Sequence, residues 1–375
     1  MSREYHIGVD ARPLSSALTG IGQYTFQLLK RLPALGHRWT FYSNAPFKVE
    51  LPEYANVRYV ISPRSRIKGM GALWSQMRLP YLIRKDPLDV FWSPRHHLPL
   101  LGNAQLPMVL TIHDLVYRLF PKTLKRSNYF LESLLLPASV KRANKIITVS
   151  QTSANDLKKI LHVPENKIQV IYLGLSTSNV DHAVVNLATL GIHGPYILFL
   201  GTLEPRKNVM RLIQAYARLP EALRAKHQLV LAGGAGWGGE GYTDLVRQFN
   251  LTERVVFTGY VTEEQRLALL HRATVFAFPS LYEGFGFPVI EAFAAGVPVL
   301  TSKDGATAEV AGDAACLINP YDVAEISHGL EMLLTNTTLR EKYSQQGLQR
   351  VVDFNWDQAA EKTLDVLLGA YTQTT

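Results

Sequence analysis

The chain has 375 residues, 47% hydrophobic and 19% charged, which excludes a disordered polymer and gives length for two ordinary domains. No apolar run reaches the roughly 18–20 residues of a membrane-spanning helix, and the single cysteine, Cys316, excludes an internal disulfide framework and fits a reducing cytosol. The formal charge of +8 is uneven: residues 1–180 hold 24 Lys and Arg against 10 Asp and Glu, so the front half is basic, the remainder mildly acidic, and an anionic partner is expected on the front half.

The opening "MSREYHIGVDARP" lacks the long apolar stretch of a secretory signal and reads as a first strand. Further strand-like runs are "WTFYS", "VRYVIS", "DVFWSP", "MVLTIHD", "KIITVS" and "KIQVIYLG", with helical patterns such as "GIGQYTFQLLKRLPALG" and "QTSANDLKKILHV" between many of them. Such alternation predicts parallel βα units, an α/β domain over residues 1–177. The stretch "STSNVDHAVVNLATLGIHG" breaks the rhythm, so residues 178–194 are expected to connect two domains. The pattern restarts with "YILFLGT", "LVLAGG", "RVVFTG", "VFAFPS", "PVLTS" and "ACLIN", a second βα domain over 195–354. The tail, residues 355–375, reads as an amphipathic helix expected to pack back on the first domain.

In doubly wound sheets ligands bind beyond the carboxyl ends of the strands, so the loops there are the ones to read. In "DARPLSSALTGIGQYT", Gly20 and Gly22 precede a helix and allow a close backbone approach to a ligand; the pair lacks the third glycine of a dinucleotide fingerprint. In "LTIHDLVY", His113 ends an apolar strand, where it either meets a ligand or closes the strand end. In "FLGTLEPRKNVMRLIQAY", Arg206 and Lys207 stand just before Asn208, the expected cap of the next helix; two cations at a helix N-terminus suit a diphosphate. In "FPSLYEGFGFPVIEAFAAGVPVLTS", Glu283 lies in a loop and Glu291 eight residues on, in a helix opened by Pro288 and closed by Gly296. Glu291 there either complements the helix dipole or accepts from a ligand, and a polyhydroxylated ligand is readable by both carboxylates and by the amides around Phe285.

Taken together, "TGIGQYT", "TIHDL", "GTLEPRKN", "TGYVTEEQ" and "EGFGFPVIEAFAAGVPV" occur in the order of a known family. The sequence resembles the retaining glycosyltransferases of family 4, whose GT-B fold sets two Rossmann-like parallel-sheet domains face to face across a cleft. The resemblance spans nearly the whole chain, and the paired glutamates around GFG carry most of it. It implies a hexosyltransferase in which Glu291 holds the ribose of a nucleotide-sugar donor. Glu283 and the amides of Gly284, Phe285, Gly286 and Phe287 would address the donor sugar. Arg206 and Lys207 would bind the diphosphate, which Gly20 and Gly22 would approach from the front domain. His113 would contact the sugar near the reacting centre, and the base would lie near Tyr260 and Val261. Some members carry an arginine after the glycine of the third loop; here that residue is Thr202.

No Asp-x-Asp motif occurs in the sequence, so no metal and no cofactor are expected, with Arg206 and Lys207 taking the leaving charge. GDP-mannose is the favoured donor, from similarity of "GTLEPRKN" to mannosyltransferases of bacterial surface polysaccharides; UDP-glucose and dTDP-rhamnose stay open. Two basic, apolar segments, Arg64–Lys85 and Tyr117–Arg142, suit the surface of an anionic membrane. That fits a lipid-linked saccharide acceptor, with the protein cytoplasmic and peripheral on the inner face of the membrane. A small soluble acceptor and a non-catalytic nucleotide-sugar binding protein are the alternatives, while nucleic acid is disfavoured for want of a matching motif.

Overall fold

All thirteen runs read as strands are strands. The computed structural model describes residues 3–372 apart from 17, 19, 63–70, 122–125, 177–183, 235 and 237–240. The first sheet contains β1 (His6–Asp10), β2 (Arg38–Ser43), β3 (Val57–Ile61), β4 (Val90–Ser93), β5 (Met108–Ile112), β6 (Lys145–Thr148) and β7 (Ile168–Val170), in the order β3-β2-β1-β4-β5-β6-β7. The second contains β8 (Tyr196–Leu200), β9 (Gln228–Ala232), β10 (Val255–Gly259), β11 (Val275–Phe278), β12 (Val299–Ser302) and β13 (Cys316–Ile318), in the order β10-β9-β8-β11-β12-β13. Every pairing is parallel.

Both sheets are of the Rossmann type, and burial explains their composition. β1, β4 and β5 are buried along their whole length, so they read as continuous apolar runs rather than alternating ones, as strands covered on both faces do. The edge strand β3 leaves Tyr59 and Ile61 exposed. In each sheet the chain works outward from a first strand and then returns to that strand's other side. The reversals fall between β1 and β4 and between β8 and β11.

The chain divides into two compact units, one of Met1–Arg118, Arg126–Gly174 and Asn355–Thr375, the other of Leu119–Lys125 and Leu175–Phe354. The change of unit thus falls at Gly174 and Leu175, ahead of the connection expected at 178–194; residues 178–183 lie outside the described part, and 184–194 belong to the second unit. The last helix, Trp356–Thr372, is in the first unit, buries Trp356, Ala359, Ala360, Thr363, Leu364 and Leu367 on one stripe, and packs against β4, β5 and β6. Gly174 lies against that helix so closely that a Cβ would come within 2.2 Å of the Trp356 amide nitrogen.

Candidate functional site

In the second sheet the reversal point is occupied by charge. β8 runs into a short 3₁₀ turn, Pro205–Lys207, and β11 into the loop that carries Glu283. The Glu283 carboxylate accepts from Arg206 Nη1 (2.9 Å) with one oxygen and from Lys207 Nζ (2.5 Å) and Ser280 Oγ (2.6 Å) with the other. Arg206 also pairs with Glu204 (2.7 Å) and donates to the Tyr282 carbonyl (2.9 Å). Lys207 is 8% exposed, with Nζ 4.9 Å from the centre of the Phe278 ring. Burial works to discharge both partners. It lowers the Lys207 pKa, with Glu283 opposing; at Glu283 it is outweighed by the charges of Lys207 and Arg206, which hold the carboxyl below its ordinary value.

The sequence keeps these groups apart, with Glu283 assigned to a sugar and the cations to a diphosphate. The structure brings them into one cluster of two cations and two carboxylates, formally neutral. Asn208 also differs from expectation. It precedes the helix Val209–Arg218 with a left-handed φ of 62°, but its side chain caps nothing. Its amide instead donates to the carbonyls of Pro279 (3.0 Å) and Pro320 (2.6 Å), tying the loops after β11 and β13 to the turn after β8. The first turn of that helix is left without a side-chain acceptor, the state in which an anion is attracted.

Past Glu283 the chain turns through Gly286, at φ 106°, into the helix Phe287–Ala294. The Phe285 ring is core: it is 5% exposed and edge-on to Phe354 at 5.7 Å, a placement that concerns the side chain and not the amide assigned to the donor. Pro288 is the second helical residue rather than the first, and Gly296 ends the helix at φ 68° as expected. Glu291 pairs with Arg266, whose guanidinium also holds Glu263. Burial pushes the Glu291 carboxyl up to about 7, against the pull of Arg266 and helped by Glu263. Sequence reasoning missed Arg266. The signal was one residue beyond "TGYVTEEQ", on a helix that Thr262 and Gln265 open with a reciprocal cap. Tyr260, 89% exposed, and Val261 follow β10, at the same carboxyl edge but on the outermost strand.

In the first unit β1, the first strand of its sheet, ends in a buried ion pair, and a histidine follows β5, one strand beyond β4. Asp10, at the end of β1, receives Arg12 through two bonds (2.7 and 2.5 Å), and both side chains are almost fully buried. Arg12 continues to the Gly71 carbonyl (2.8 Å). The pair was legible only as "DAR" in a strand-end loop. Gly20 and Gly22 do not precede the helix Gly20–Leu29 but begin it. A Cβ at Gly20 would meet nothing within 4 Å, whereas at Gly22 it would crowd Leu18 at 3.1 Å. Gly22 is therefore a packing requirement, and Gly20 presents open backbone. His113, after β5, donates Nε2–H to the Pro94 carbonyl (2.9 Å), and the edge of one ring meets the face of the other between it and Tyr24 at 4.8 Å. Burial and the neighbouring His96 lower its pKa to about 4, so the ring is neutral near pH 7.

The Glycosyltransferase Family 4 profile matches residues 18–179, and the Glycosyl transferases group 1 profile residues 191–350. The chain is 30% identical over 374 residues to O-antigen chain mannosyltransferase B of Escherichia coli, covering 94% of this chain and 97% of that protein. It is 28% identical over 328 residues to O-antigen chain mannosyltransferase RfbU of Salmonella typhimurium, covering 84% and 87%. Among solved structures it is similar to the sucrose-phosphate synthase of Thermosynechococcus elongatus, with a TM-score of 0.74 and 20% identity over 99% of this chain and 100% of the other.

Proposed function

Because this chain belongs to glycosyltransferase family 4, and is a hexosyltransferase of GT-B fold, we propose that it moves a mannosyl group from GDP-mannose to a lipid-linked or polysaccharide acceptor in surface-glycan assembly. The choice of mannose draws on the two O-antigen mannosyltransferases that the chain resembles along most of their length. The observation that carries the reading is the Arg206, Lys207 and Glu283 cluster at the point where the second sheet reverses its order.

The chemistry follows from that cluster. The leaving diphosphate gains negative charge as its bond to the sugar breaks, and preorganised cations stabilise that charge most where water is excluded. Glu283 keeps Arg206 and Lys207 aligned and dehydrated beside the N-terminus of the helix Val209–Arg218. A metal ion is not required for this role in the proposed mechanism; full activity in excess chelator is the expected result. A double displacement would need an unencumbered carboxylate near the anomeric carbon. Glu283 carries three charged or hydroxyl donors and Glu291 carries Arg266, so neither suits a nucleophile. Retention by same-side attack, with the leaving phosphate taking the acceptor proton, is the route we favour. Glu291 would hold the ribose and His113 the donor sugar.

A panel of GDP-mannose, UDP-glucose and dTDP-rhamnose, scored by thermal shift and by donor hydrolysis, tests the reading. GDP-mannose should stabilise the protein most, and the product should keep the anomeric configuration of the donor. If no nucleoside diphosphate or its sugar shifts the protein, the reading fails.

No helix among the described residues is long and apolar enough to cross a membrane. Peripheral contact at the inner membrane face is part of the proposal, and exposed apolar side chains set among cations support it. Leu73, Met77 and Tyr81 recur every four residues and are 45%, 61% and 49% exposed, with Arg78 and Lys85 over the Tyr81 ring. On the helix Arg126–Arg142, Phe130 and Leu134 are 71% and 61% exposed. Apolar side chains set among cations suit an anionic lipid surface. Residues 64–70 and 122–125 of the two expected segments lie outside the described part. Met77→Glu combined with Phe130→Glu should abolish binding to anionic liposomes at low salt. Absence of binding by the unaltered protein would favour a small soluble acceptor.

A further inference from the structure

The histidines that follow β4 have no part in the function proposed above. The backbone N–H of His113 donates to His96 Nε2 (3.1 Å), and the two rings lie 5.7 Å apart at 31°. A neutral imidazole carries one N–H, so a ring that accepts at Nε2 is protonated at Nδ1. His96 Nδ1 faces Glu132 Oε2 at 3.7 Å, and the same carboxylate oxygen meets His97 Nε2 at 3.1 Å. Glu132 reaches in from the helix Arg126–Arg142, and all three side chains are mostly buried, at 14%, 9% and 24% exposure for His96, His97 and Glu132. The loop itself is fixed, since the single Ser93 hydroxyl proton is shared between the carbonyls of Arg95 (3.0 Å) and His97 (2.8 Å), and the Leu98 amide donates to Ser139 Oγ (3.0 Å). One loop therefore holds His113 twice, by its amide through His96 and by its ring through the Pro94 carbonyl.

We propose that His96, oriented by Glu132, is a positioning residue that fixes the His113 backbone and thereby aims the His113 ring at the donor sugar. This rests on the reading that His113 faces the donor. Glu132 selects the tautomer that leaves the Nε2 lone pair free to accept, the part that a partner of an imidazole commonly plays. The same arrangement makes the contact acid-sensitive. Protonation of Nε2 sets two N–H groups against each other and breaks the bond. The groups facing the ring are Glu132 from the helix, His113 and Asp114 from the loop after β5, and Arg95 and His97 from its own loop. Burial opposes protonation, but Glu132 and Asp114 outweigh it, so His96 takes up its proton above the ordinary imidazole value.

The test compares His96→Ala, His96→Gln and His113→Ala in the full chain. Donor hydrolysis is read at saturating GDP-mannose, or at whichever donor the panel selects, and GDP binding is measured by titration. His96→Ala should lower kcat about ten-fold, a modest misalignment effect, with donor KM and GDP affinity unchanged. His96→Gln, whose amide oxygen can accept the same N–H and cannot protonate, should restore kcat to within about three-fold of the unaltered enzyme and remove the fall of kcat that sets in above the ordinary imidazole value of 6.5, leaving the fall at lower pH that His113 itself causes. Unaltered kcat in His96→Ala, or a fall setting in above 6.5 that persists in His96→Gln, overturns the proposal. If His96→Ala does not fold, the pH profile of the glutamine variant decides. Should His113→Ala itself leave kcat intact, it is the placement of His113 at the donor that fails.

Discussion

The carboxyl ends of the central strands carry different chemistry in two similar sheets. Beyond β8 and β11, cations and carboxylates are buried against one another, so that each compensates the charge of the next, and Glu283 is held below its ordinary value by Lys207 and Arg206. Beyond β4 and β5, the group presented is a neutral imidazole, His113, held by a backbone carbonyl and a second histidine. Neither end follows the overall charge of its half: Arg206 and Lys207 sit in the acidic half, while the basic half presents the neutral ring and keeps its buried cation, Arg12, paired with Asp10. Net charge describes the solvated surface, whereas a site takes its charge from what burial and partners allow.

If the second-sheet cluster stabilises a leaving diphosphate, Lys207→Ala should reduce kcat by about 10²–10³, the loss seen when one preorganised donor is removed. Donor KM should change far less, and steady-state kinetics would separate the two. Near-normal turnover would remove the leaving-group role and, with it, the contrast. Asn208→Ala tests whether the charged cluster depends on its scaffold. It deletes two donors to buried carbonyls and places alanine at a positive φ, so a loss of about 2–4 kcal/mol in denaturant unfolding is expected.

Glu291 sharpens the comparison within one sheet. Its carboxyl is raised to about 7 from an ordinary 4.5, the reverse of Glu283. Across that window the folded chain holds a proton that the unfolded chain has released, so the Glu291 contribution to stability falls as pH rises. The Glu283 contribution has the opposite sign, present above the ordinary carboxyl value and lost as pH falls through its lowered one. Nucleotide affinity should rise about ten-fold or more as pH passes 7 and Glu291 ionises. Glu291→Gln should weaken GDP binding by a similar factor and flatten both dependences, measurable by titration calorimetry and by unfolding at several pH values. In the first sheet, Tyr24→Phe removes only the hydroxyl contact with Thr111 (3.2 Å) and keeps the ring against His113. A cost of about 0.5–1.5 kcal/mol is expected, with kcat unchanged.

Strand runs, the alternation of β and α, and the loops that carry His113, Arg206, Lys207, Glu283 and Glu291 were legible in the sequence because they rest on local pattern: apolar runs for strands covered on both faces, proline and glycine around a helix such as Phe287–Ala294. The same pattern put the last helix in view and its apolar stripe at the right spacing. What lay beyond reach were the partners. Glu283 is 76 residues from Lys207, Arg266 is 25 from Glu291, and His96 is 17 from His113. Strand order alone closes those distances, and no periodicity records it. Asn208 shows the limit at close range, where a residue well placed to cap its helix turned its amide to two carbonyls at 71 and 112 residues' remove. Local propensity decides which element forms, because it acts between neighbours. Which charges meet, and so which remain ionised, was decided only when the sheets brought distant loops to one edge and water was excluded from between them.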